Sequence, residues 1–180
     1  MKKLLLITSI FCLTTGVFAQ EEIEPKSTER FNHSLGFGAG VSTGYGLSYR
    51  YFGGKLGAQV NFAPYKDETK VIMSTGLTFL FRLVELEKIS FFAYQANHFY
   101  FEEESYTYTD YEYDYYNGNN TTAKEVTYSN ERKFFNNGAG IGLEFTPNKR
   151  LSFNIMGGYG GQEDFKKISF TGETAIYFKF

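Results

Sequence analysis

The chain of 180 residues has no tryptophan, three prolines and one cysteine, Cys12. A lone cysteine closes no intrachain disulfide, and with only two histidines the chain has no cluster of the kind that holds zinc. The one sustained apolar run, residues 4–13, is too short to cross a bilayer as a helix. A basic surface is missing too. With 18 Lys and Arg against 20 Asp and Glu, the formal net charge is −2, which argues against nucleic acid as a partner. The abundant residues are 20 Phe, 15 Tyr and 19 Gly, an unusual balance for a water-soluble domain.

Residues 1–19 have the three parts of a secretory signal. Lys2 and Lys3 give a positive start, the apolar run follows, and Val17 and Ala19 are small where a signal peptidase needs them. Cleavage before Gln20 is expected, and a lipoprotein signal using Cys12 is disfavoured by the bulky Phe11 before it. Removing two lysines and no acids leaves 16 bases against 20 acids, a net charge of −4. Residues 20–33 are polar and read as a flexible periplasmic leader. Residues 34–180 form the one folded domain.

Within that domain no stretch keeps a 3.6-residue period for three turns. Alternation at period two recurs instead, interrupted by turn residues, which is the pattern of strands. The spacing predicts eight, over 34–43, 45–52, 55–63, 70–83, 89–104, 132–146, 150–158 and 166–180. On the third, Leu56, Ala58, Val60 and Phe62 oppose Gly57, Gln59 and Asn61. The fourth sets Leu77, Phe79 and Phe81 against Gly76, Thr78 and Arg82, and the sixth sets Ala139, Ile141 and Leu143 against Gly138, Gly140 and Gly142.

Two opposite arrangements fit such alternation. A soluble barrel or sandwich turns its apolar face inward; a membrane barrel turns it outward to lipid. A face meeting water should be rich in Lys and Glu. The polar face here is mostly Gly, Ser and Asn, with five clear charges, Arg50, Arg82, Glu144, Glu173 and Lys179. Glycine weakens a strand by about 0.5–1 kcal/mol relative to alanine and needs a steric reason. A narrow lumen that must admit larger side chains supplies one. The polar face is therefore read as an interior.

Connection lengths alternate in agreement. The turns at Gly53 and Gly54, at 84–88 and at 147–149 are short and fall on one side, and the longest connection, 102–131, falls on the other, as in outer-membrane barrels. The chain ends in Phe180, with Phe178 and Ile176 alternating back from it, which looks like the signal read by barrel-assembly machinery. With the signal peptide and the eight segments, the chain resembles the small outer-membrane barrels grouped as OmpA-, OmpX- and OmpW-like proteins, in the style of the outer membrane beta-barrel proteins of Bacteroidota. That resemblance implies an all-β, eight-stranded antiparallel up-and-down transmembrane barrel in the bacterial outer membrane, embedded in its lipid. It does not imply a ligand.

The long connection alternates as well. Tyr106, Tyr108, Asp110, Glu112 and Asp114 share one face, and Thr107, Thr109, Tyr111, Tyr113 and Tyr115 the other. Strands five and six are therefore expected to continue past the membrane as an extracellular hairpin. A two-residue turn at Gly118 and Asn119 pairs Tyr116 with Thr121, hence Ala96 with Ile141, Tyr94 with Leu143 and Phe92 with Phe145. In that register strand five turns its even residues outward, as polar Gln95 and Asn97 suggest, and His98 faces outward near the upper interface. From Glu102 to Arg132 eight acids and two bases give a net charge of −6, with seven tyrosines. Such a sheet edge could take an unknown extracellular partner or could be a solvated extension. Its carboxylates lack calcium-loop spacing.

No cofactor or metal is expected. The glycines of 36–40 and 138–142 sit at strand period, not at the mouth of a helix, so they do not cradle phosphate. No serine and carboxylate accompany His98 in the sequence as an acyltransferase would need, so no enzyme is expected. Arg50, Arg82, Glu144 and Lys179 should form one lumen layer, with Glu173 higher, acting as a plug or a gate; the narrow bore favours the plug. The leading expectation is a non-enzymatic barrel presenting the hairpin for contact or envelope structure. The alternative is a narrow conduit for a small hydrophobic molecule, as the OmpW-like resemblance would allow.

Overall fold

A computed structural model of the chain describes residues 31–113 and 121–180. The expected signal peptide, most of the leader, Asp114, Tyr115 and the turn at Gly118 and Asn119 lie outside the described residues. Eight strands follow in order: β1 His33–Gly40, β2 Gly46–Gly53, β3 Leu56–Lys66, β4 Lys70–Glu85, β5 Ile89–Tyr113, β6 Thr121–Phe145, β7 Leu151–Gln162 and β8 Lys167–Lys179. Each pairs antiparallel with the next, and β8 pairs back on β1 from Ser34↔Lys179 to Gly40↔Glu173, closing the ring. Closure leaves no sheet edge in the wall, so every strand there finds both hydrogen-bonding neighbours.

The wall is apolar outside and polar inside. Outward side chains include Phe37, Leu56, Ile141, Ile155 and Phe170, the last 67% exposed, while Ser48, Gln59, Asn61, Thr78, Asn154 and Thr171 are buried within. In water this belt would expose far more contiguous apolar surface than a monomer normally shows. It is the distribution of a transmembrane barrel. β1, β3, β4, β6, β7 and β8 face as the alternation predicts. The glycines opposite large groups make room as expected, but for phenylalanines and a loop more than for arginines. A Cβ on Gly142 would meet the Phe92 ring, and one on Gly76 would meet the Thr43 carbonyl.

β5 corrects the sequence reading. Phe92, Tyr94, Ala96 and His98 are buried in the lumen, whereas Phe91 and Phe99 are exposed. Its even residues face in. The ladder with β6 joins Tyr113 to Thr121, Ala96 to Gly138, Tyr94 to Gly140 and Phe92 to Gly142, three residues from the expected register. An odd shift reverses the facing of one strand. The partner numbers of the described ladder sum to 234, which leaves an odd number of residues between any pair and so does not fit the expected two-residue turn. Gln95 and Asn97, the residues that suggested the wrong facing, point outward and hydrogen-bond each other. His33 also leaves the expected leader and opens β1, where its Nδ1 lies 2.6 Å from the Tyr49 hydroxyl.

β4 and β5 pair up to Lys70↔Glu104, and β6 and β7 up to Asn137↔Gly161. β5 and β6 go on pairing with each other to Tyr113↔Thr121. The reason lies in composition, since Tyr and Thr suit a pleated ribbon and Tyr106 faces Tyr128 across the ladder.

Candidate functional site

The two ends of the lumen are built differently. At the end bearing the short turns, Glu144 on β6 receives Arg50 from β2, Nη2 to Oε2 at 2.5 Å, and Lys179 from β8 on its other oxygen. The Arg50 guanidinium also lies over the Tyr177 ring, 4.1 Å from its centroid, and Tyr177 shares a hydrogen bond of 2.7 Å with Ser48. Three of the four expected charges thus meet, where each buried charge finds a partner. Arg82 does not join them. It pairs with Glu85 at 3.1 Å and lies over Phe52 at 4.3 Å, on the rim side of the layer. Phe52, Leu80, Phe92, Tyr94, Ala96 and Met156 pack above as an apolar stratum of the core.

At the other end the lumen is filled by a loop. The expected first strand runs to residue 43, but β1 stops at Gly40 and residues 41–45 form a turn whose tip, residues 42–44, is buried in the bore. Gly44 and Gly46 have positive φ, 75° and 115°, and allow the tight return into β2. Ser42 and Thr43 are buried. Glu173 on β8 holds them: its carboxylate accepts from the backbone N–H of Ser42 at 3.2 Å and of Thr43 at 3.0 Å, and from both hydroxyls. Four donors thus oppose the negative charge. Asn61 on β3 donates to the carbonyls of Thr43 and Gly44 at 3.0 and 3.2 Å, and Asn136 on β6 donates to that of Val41 at 3.0 Å.

His98 belongs to this clamp. Its Nδ1 lies 2.9 Å from the Val41 carbonyl oxygen, which can only accept, so Nδ1 carries the proton and Nε2 is left to accept from the Ser74 hydroxyl at 3.0 Å. The expected outward, interfacial histidine is therefore an inward one, and a serine does stand beside it. A backbone carbonyl occupies the place a carboxylate would take in a hydrolytic triad, and Ser74 also accepts from the N–H of Tyr45 at 3.2 Å. Both side chains are buried and hold the loop. Sequence reasoning missed Ser42, Thr43, Asn61, Ser74 and Asn136, because short polar residues on an inward strand face or in a short connection give no signal of their own.

Beyond the wall, one face of the β5–β6 ribbon carries aromatic groups. Tyr100 stacks on Phe134 with centroids 4.7 Å apart, and Tyr128 stacks on Tyr106 and Tyr108 at 5.9 and 5.5 Å. Between these pairs Lys70 meets Glu102 at 2.5 Å, and Tyr100 donates to Glu102 at 3.1 Å. The lysine pulls the Glu102 carboxyl below its ordinary range, with the Tyr100 hydroxyl adding to the shift. Asp110 stands opposite Lys124, and Glu112 opposite Thr122. Tyr111 is 62% exposed on the other face, where Thr107 and Thr127 share a hydrogen bond of 3.0 Å. Tyr113 closes the described ladder. Ile176, Phe178 and Phe180, expected to carry the assembly signal, all face outward at the closing seam.

No family profile and no curated protein matches the chain. Among solved structures it is similar to the N-terminal beta-barrel domain of Pseudomonas aeruginosa OprF, with 14% identity, 82% of this chain and 95% of that one covered, and a TM-score of 0.45. It is also similar to Neisserial surface protein A, with 13% identity, coverage of 82% and 94%, and a TM-score of 0.43. For Ail, the attachment invasion locus protein of Yersinia pestis, the identity is 15%, the coverage 82% and 96%, and the TM-score 0.39.

Proposed function

We propose that the chain is an integral outer-membrane β-barrel protein, without catalytic activity, that presents the β5–β6 hairpin at the cell surface for contact. The carrying observation is the ribbon itself, which extends past both neighbouring strands with Tyr106, Tyr108 and Tyr128 stacked on one face. Tyrosine offers large contact area at little cost in conformational entropy, and the ribbon's outer backbone groups can pair with a partner strand. The outward belt supports membrane insertion, with lipid as its solvent and the outward residues Ile176, Phe178 and Phe180 as the mark for assembly machinery. The alternative, a conduit for a small hydrophobic molecule, meets a bore occupied by Tyr177, Phe92 and Thr43, each 2% exposed or less.

The test is a short epitope inserted at Gly118 in cells that express the full chain. Antibody should bind intact cells, and replacing residues 106–128 by a tight turn should preserve the folded barrel while cell retention on protein-coated surfaces falls severalfold. An epitope reached only after permeabilisation, or retention unchanged by the shortened hairpin, would reject surface contact.

A further inference from the structure

On β5 the outward column reads Phe91, Ala93, Gln95, Asn97, Phe99 and Phe101, so two amides occupy the middle of an apolar series. Their ladder neighbours on β4 are Phe79 and Leu77, both exposed outward. On β6 the neighbour of Asn97 is a third amide, Asn137. Eleven tilted residues from Phe91 to Phe101 match an apolar band about 25 Å tall. On the membrane reading proposed above, which this inference rests on, Gln95 faces lipid near mid-depth. Asn97 and Asn137 face it toward the outer end of the band, where Asn137 pairs with Gly161 next to the last residue of β7.

Acyl chains offer no hydrogen bonds, and polar groups there are costly unless satisfied. The triad satisfies itself in part. Gln95 Nε2 donates to Asn97 Oδ1 at 3.0 Å and to the Ala96 carbonyl at 3.3 Å, Asn97 Nδ2 donates to Gln95 Oε1 at 3.2 Å, and Asn137 Nδ2 donates to Asn97 Oδ1 at 2.7 Å. Three amides carry six N–H groups, and these bonds use four. One N–H on Asn97, one on Asn137 and the Asn137 carbonyl oxygen remain. Ala93 and Ala139, outward neighbours of Gln95 along β5 and across on β6, lower the surface beside them, and small residues beside polar ones are how membrane segments approach closely.

We infer that this face of β5 and β6 associates laterally with a second copy of the chain. An amide both donates and accepts, so the patch complements itself, as a two-fold contact requires. A two-fold axis along the membrane normal, passing between the two strands, sets Asn97 of each copy toward Asn137 of the other. The leftover groups then bond across the interface.

The full chain inserted in phospholipid vesicles tests this through Ala139→Cys, with Val60→Cys on the outward face of β3 as a control. Oxidation should link Ala139→Cys into a dimer and leave Val60→Cys monomeric. Adding Asn97→Leu and Asn137→Leu should cut the dimer yield about tenfold while the barrel stays folded. Equal linking at both cysteines, or a yield unmoved by the leucines, overturns the inference, as does a product in native membranes of a mass other than twice the chain. Both thiols should also resist a water-soluble maleimide. Thiols that react freely would sink the membrane reading itself, whereas protected thiols that do not link would sink only the pairing.

Discussion

The two ends of the lumen solve one problem by different means. At the short-turn end, Arg50 and Lys179 converge on Glu144 from two other strands, and the seal is electrostatic. At the hairpin end, a neutral backbone loop is drawn into the bore and fastened to Glu173 by four donors. The first needs long side chains of opposite sign at strand ends. The second needs only a short loop, two glycines at its return and wall positions small enough to admit it. A charge layer is specific and costly to desolvate, whereas a loop brings its own hydrogen-bonding groups into the site.

The contrast can be broken most forcefully at the charged end. Glu144→Leu leaves Arg50 buried without its anion and should cost about 3–5 kcal/mol in denaturant unfolding, much of it recovered when Arg50→Met is added. A loss below about 1 kcal/mol would mean that the charges are hydrated and the layer is no seal. Both ends presuppose one facing of the wall. Leu77→Arg, outward in the middle of the belt, should cost about 2–4 kcal/mol, and Thr78→Arg, inward, should behave differently; similar effects at the two sites would contradict that facing.

At the loop end, Glu173→Ala strands several buried donors and should cost about 1–3 kcal/mol. In planar bilayers that variant should stay non-conducting because the charge layer still closes the bore, and so should Glu144→Ala. The double variant should stay closed as well, because the apolar stratum of Phe52, Leu80, Phe92, Tyr94, Ala96 and Met156 still fills the bore between the two ends. Steady current through the wild type would discard both seals. The smallest effect concerns the outer turn between β3 and β4. Asp67 accepts from the Tyr65 hydroxyl at 2.8 Å and from the N–H groups of Thr69 and Lys70, and its carboxyl is held below the usual range chiefly by Tyr65. The folded form is therefore favoured above the ordinary carboxylate range, and the advantage fades as pH falls through the lowered value. An NMR titration should show the Asp67 midpoint rising in Tyr65→Phe; an unmoved midpoint would remove Tyr65 as the cause.

Most of the wall was legible because barrel closure in lipid forces strict alternation, which phenylalanine and glycine advertise clearly. Arg50, Glu144 and Lys179 were legible as one layer because strand-end positions bring them level. Arg82 left the layer because a bulge between Arg82 and Val84 and the nearby Glu85 offered a closer partner. β5 was misread for a physical reason: polarity was taken to mean inward, yet Gln95 and Asn97 bond each other on the outside. A two-residue turn then yielded a register consistent with that mistake, so two errors supported each other. The inward loop had no signature, since its contacts reach residues as far as 131 positions away and depend on shape.

That span has a kinetic meaning. The loop is made early in the chain, yet its fasteners come from β3, β4, β5, β6 and, for Glu173, the final strand. It cannot seat fully until β8 has joined β1. The cap is thus the last thing completed, and its docking reports from within that the ring is whole.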